Sequence, residues 1–98
     1  MKFDIRILSN EKLNEKDDNV DVEIILSDGK IFSATFFTIE NIKTLFKKNQ
    51  ETGECLSGQY FWATDMILVE KLTETSIREC VNDLINTNEI SSCCTQIH

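Results

Sequence analysis

No apolar run in this chain of 98 residues approaches the about 20 residues needed to span a bilayer. The first residues, Met1-Lys2-Phe3-Asp4, place an acid where a secretory signal would begin its apolar stretch, which leads to the expectation of a cytoplasmic protein with reduced thiols. Histidine occurs once, as His98, so acid–base chemistry would fall to carboxylates. The three glycines, Gly29, Gly53 and Gly58, are isolated, so no phosphate-cradling loop exists and each is expected to serve a turn. Proline is absent, which decides nothing.

Basic residues are scarce in the second half. Residues 1–50 carry eight basic and nine acidic side chains, whereas residues 51–98 carry two and eight, so net charges of −1 and −6 sum to the −7 of the chain. That balance argues against nucleic-acid binding, which needs a basic footprint, and against docking on anionic lipid. It suits solubility, and it suits the steering of a basic protein partner.

Four cysteines remain: Cys55, Cys80, Cys93 and Cys94. None forms a C-x-x-C pair, and Cys93-Cys94 with His98 is not a usual zinc spacing, so neither metal nor cofactor is expected. Cys80 is expected to be buried and the others incidental thiols. Cys55 has only acids near it in sequence, which raise a thiol pKa and oppose a nucleophilic role.

The length allows one domain, expected over residues 1–88, with a poorly ordered Asn-, Thr-, Ser- and Cys-rich tail at 89–98. Phe3, Ile5 and Ile7 alternate with Asp4 and Arg6, the period of a half-buried strand. Residues 9–18 are polar and are expected to form a mobile loop. Residues 19–26 and 30–37 predict a hairpin around Ser27-Asp28-Gly29. A two-residue loop would mix polar and apolar side chains on both faces. A three-residue loop with Gly29 left-handed pairs Leu26 with Lys30, Ile24 with Phe32, Val22 with Ala34 and Val20 with Phe36, which gives one mostly apolar face.

Thr38 is a candidate cap for a helix carrying Ile39, Ile42, Leu45 and Phe46 at helical spacing, fading near Asn49, with Gly53 closing the connection. Residues 59–63 and 66–70 predict a second hairpin, turning at Thr64-Asp65 and apolar on both faces. Thr73 or Ser76 then starts a last helix with Ile77, Cys80, Val81, Leu84 and Ile85 inward and Glu74, Glu79 and Asp83 outward. The expected order is β-β-β-α-β-β-α, a two-layer α+β domain with two helices on one face of a mostly antiparallel sheet.

The aromatic run Tyr60-Phe61-Trp62 is the most informative segment. Tyr60 and Trp62 are either core on a two-sided strand or binding anchors, with Glu51, Glu54, Asp65 and Glu70 as an acidic rim. Asp65 at a hairpin tip is an ordinary turn former.

The run Ser57-Gly58-Gln59-Tyr60-Phe61-Trp62-Ala63-Thr64-Asp65-Met66-Ile67, followed by the helix from Thr73, resembles a group of small bacterial proteins of unassigned activity. Proteins of this size and acidity include immunity partners of polymorphic toxins, such as contact-dependent inhibition systems. The resemblance covers residues 20–88 and carries over no catalytic motif. It implies a non-enzymatic module that binds and blocks a basic toxin domain. The partner-binding residues expected from the charge and aromatic patterns are Glu54, Tyr60, Trp62, Asp65, Glu74, Glu79 and Asp83. The rival reading is a self-associating structural or regulatory module, a homodimer formed through the two-faced hairpin.

Overall fold

The computed structural model describes residues 2–98. The domain is α+β and two-layered. Its five-stranded sheet is built from β1 (Phe3–Leu8), β2 (Asn19–Leu26), β3 (Ile31–Thr38), β4 (Met66–Val69) and β5 (Thr95–Gln96). The helices are α1 (Ile39–Thr52), α2 (Glu74–Asn86) and the short α3 (Ile90–Cys93).

The first three strands form an antiparallel meander whose register follows the apolar alternation. Val20 lies opposite Phe36, Val22 opposite Ala34 and Ile24 opposite Phe32, while Ile5 lies opposite Ile24 and Ile7 opposite Val22. The three-residue loop is present. Leu26 N–H donates to the Lys30 carbonyl at 2.9 Å, Gly29 N–H donates to the Leu26 carbonyl at 3.0 Å, and Gly29 has φ +92°. The Asp28 carboxylate accepts from Lys30 N–H at 3.0 Å, as short acidic side chains do in turns.

The apolar face so produced is covered by α2. Thr73 is its cap, accepting from Ser76 N–H at 3.0 Å, so the longer of the two candidate helices forms. Val22, Ile24, Phe36, Ile77 and Val81 are fully buried together at the centre of the core.

Several expectations are corrected. The second hairpin does not form: residues 59–63 hold no strand, and β4 instead lies parallel to β3, with Thr35 opposite Met66 and Phe37 opposite Leu68. Parallel neighbours need a long crossover, and residues 39–65 supply it. Composition alone cannot reveal this, because an apolar, aromatic run suits a strand and the return limb of a crossover alike.

Residues 89–98 are not a loose tail. Ile90 and Cys94 are buried in the core, and β5 pairs antiparallel with β3, Phe32 opposite Gln96 and Ser33 opposite Thr95. Thus β4 and β5 lie end to end along one edge of β3. The buried thiol is Cys94, whereas Cys80 is only half-buried.

Helix α1 forms from its Thr38 cap, whose hydroxyl accepts from Asn41 N–H at 3.1 Å, to a left-handed Gly53. It nonetheless contributes no residue to the core cluster, and the second helix on that face is α3. A helix that folds back over its own sheet needs a short connection, and here none separates Thr38 from Ile39. Ile42, Leu45 and Phe46 are consequently half-buried and Ile39 is exposed. The loop at 9–18 is pinned against the start of α1. Asn41 Nδ2 donates to Asp17 Oδ1 at 2.9 Å, Thr44 Oγ1 donates to Asp17 Oδ2 at 2.8 Å, and Asp18 N–H donates to Thr38 Oγ1 at 3.3 Å.

Candidate functional site

The crossover reaches the aromatic run through an unusual turn at Glu54–Gly58. Cys55, Leu56 and Ser57 have φ of 50°, 51° and 56° and ψ of 52°, 49° and 44°, a left-handed helical turn of ordinary residues. Such a conformation costs about 1–2 kcal/mol for each non-glycine residue. Ser57 N–H to the Gly53 carbonyl, 3.3 Å, and Gln59 N–H to the Cys55 carbonyl, 3.0 Å, hold it. Gly58, with φ +79°, fits tightly against α1: a Cβ there would lie 2.6 Å from the Phe46 carbonyl oxygen. Strained backbone held by its surroundings clusters at functional sites.

This turn delivers the apolar side chains outward. Leu56 is 68% exposed, Tyr60 47% and Trp62 69%. Phe61 alone turns inward, its ring edge-on to that of buried Phe37 at 5.5 Å between centroids. Phe37 lies on the sheet face opposite the core, so the pair fastens the aromatic run over that open face. Of the two alternatives for Tyr60 and Trp62, the core placement is therefore not the one adopted. Leu56 was not singled out by the sequence, and its only signal is its place between two glycines, Gly53 and Gly58.

The expected acidic residues divide into groups. Glu54 is exposed and opens the left-handed turn. Asp65 stands not at a hairpin tip but at the entry to β4, with φ 54°. Its Oδ2 accepts from Thr95 Oγ1 at 2.5 Å and its carbonyl accepts from Thr35 N–H at 3.0 Å, so it pins β5 and β4 to the sheet. Glu74, Glu79 and Asp83 are exposed on α2, away from its core-facing stripe. Glu74 is occupied by Arg78 at 3.3 Å, and Arg78 also reaches Asp4 at 3.1 Å. The Ile5 N–H and then Arg78 hold the Asp4 carboxyl below the ordinary aspartate range. Among the described residues Glu79 and Asp83 make no such ion pair.

Burial pushes the Cys94 thiol up to about 12, with Cys93, Asp65 and Cys80 adding in the same direction. Burial, then Asp83 and Cys93, raises the Cys80 thiol. A raised thiol pKa disfavours the thiolate form that a nucleophile requires. Among the described residues no three His, Cys, Asp or Glu side chains gather as a metal site, and no helix is long and apolar enough to cross a membrane.

No family model matches the chain, and neither a curated protein nor a solved structure is significantly similar to it.

Proposed function

We propose that the protein is a non-enzymatic binding module of the toxin-immunity type, which blocks a basic protein partner by occlusion. The observation that carries this reading is Trp62: a tryptophan 69% exposed beside exposed Tyr60, presented by strained backbone. Tryptophan and tyrosine are the residues most enriched among binding hot spots, since they bury large area and keep a polar tip. The charge of −6 on residues 51–98 supplies complementarity to a cationic surface, and Glu54, Glu79 and Asp83 form no ion pair among the described residues.

The test is growth rescue. Co-expression with a toxin encoded beside the gene restores growth, and purified toxin and module form a complex. Trp62→Ala weakens that complex by about thirtyfold, the effect of losing one hot-spot side chain. Reversal of Glu79 and Asp83 to Lys slows association at low salt while circular dichroism stays unchanged. A complex indifferent to both changes overturns the reading, as does a stable dimer with no affinity for a cationic protein.

A further inference from the structure

The two long edges of the sheet are treated differently. At β1 two of the outward backbone groups are already used: Ile5 N–H donates to its neighbour Asp4 Oδ1 at 2.8 Å, and the Ile7 carbonyl accepts from Ser9 N–H at 3.2 Å. Asp4 is itself held by Arg78. This edge is partly blunted, in a way that disfavours pairing with other chains.

The β4 edge is open. The Asp65 carbonyl accepts from Thr35 N–H, so in a parallel ladder residues 65, 67 and 69 turn their backbone groups to β3. Met66, Leu68 and Glu70 then turn theirs outward, and no other strand among the described residues pairs with β4. Leu68 is 52% exposed. Beside this edge runs an open groove of about 600 Å³ between β4 and α2, with Leu68 and Glu70 on one wall and Ser76, Glu79 and Cys80 on the other. Lys71 also lines it.

We propose that the β4 edge accepts an extended basic segment of the partner protein as an added strand. Main-chain bonds to Leu68 and Glu70 hold the segment, and its cationic side chains enter the groove beside Glu70 and Glu79. An unpaired edge next to a helix is the arrangement that strand addition uses, with the backbone giving affinity and the groove giving specificity. A second copy of this chain fits the site less well, because each copy carries a net charge of −7. The proposal rests on the binding-module reading and names where and how the partner docks.

The probe is a short peptide alternating lysine and valine, added to the intact protein, against the same peptide N-methylated along its central residues. N-methylation removes the N–H groups that pair with an edge and keeps the side chains. The unmethylated peptide slows amide exchange at Leu68 and Glu70 by about tenfold or more at saturation, and the methylated one does not. Glu70→Lys with Glu79→Lys removes the effect. Equal binding of both peptides, unchanged exchange at Leu68, or no binding of either overturns strand addition. Protection at Leu68 that rises with protein concentration alone also overturns it, in favour of a second copy. None of these outcomes bears on growth rescue by the whole module, so the two readings fail separately.

Discussion

The crossover at residues 39–65 and the body of sheet and α2 that it leaves behind differ in what they bury. In the body, Val22, Ile24, Phe36, Ile77 and Val81 are all at 0% exposure. In the crossover the buried residues are Asn41, Asn49 and Gly58, and the large apolar side chains Ile39, Leu56, Tyr60 and Trp62 face solvent. The body is stabilised by removing apolar surface from water. The crossover is held by half-buried Ile42, Leu45, Phe46 and Phe61 together with polar pins and backbone fit: Asp17 with Asn41 and Thr44, the left-handed Gly53, and Gly58 against Phe46. The contrast teaches that the apolar surface left over in the crossover is not needed for folding and remains available for a partner.

Core truncation should have the largest effect. Ile77→Ala leaves a cavity where α2 meets the sheet and is expected to cost about 2–5 kcal/mol in urea unfolding, much of the stability of a small domain. A cost below about 1 kcal/mol would erase the distinction between body and crossover.

The glycines sharpen the comparison. Gly29→Ala keeps open space around the new methyl and meets only the cost of φ +92°, about 1 kcal/mol. Gly58→Ala meets a similar backbone cost and also a clash with the Phe46 carbonyl, so it should lose clearly more. Its damage should be local: amide exchange should quicken through residues 46–62 while the β2–β3 hairpin stays protected.

A titration isolates the polar pins. Hydrogen bonds from Asn41 and then Thr44 hold the Asp17 carboxyl below the ordinary aspartate range. A lowered folded pKa means the contribution is full above the ordinary aspartate value and is lost as pH falls through the lowered folded value. Asp17→Asn should therefore reduce Tm at neutral pH and shrink the Tm difference between about pH 7 and about pH 3. An unchanged pH dependence would show that the pin contributes nothing.

The smallest effect on stability is expected at Trp62. Because that side chain is 69% exposed, Trp62→Ala should shift unfolding by no more than about 0.5 kcal/mol. A loss comparable to Ile77→Ala would place Trp62 in a packed environment and remove it from the proposed interface.

Wherever one face is buried, period and register are readable from the chain, because a slip by one residue would turn every apolar side chain to water. Phe3-Ile5-Ile7, the pairing of Val22 with Ala34, the left-handed Gly29 and the α2 stripe around Ile77 and Val81 were all legible for that reason. Only the tertiary structure decided the rest. Tyr60-Phe61-Trp62 has the residue types of a strand, but β3 had an open edge, and β4 filled part of it in parallel while β5 filled the remainder. Competition for one strand's backbone groups is a long-range event that leaves no local period. The polar segment after residue 88 hid a strand for the same reason. Whether Tyr60 and Trp62 faced inward or outward depended on the left-handed turn at Cys55–Ser57, a conformation that ordinary residues avoid unless packing imposes it.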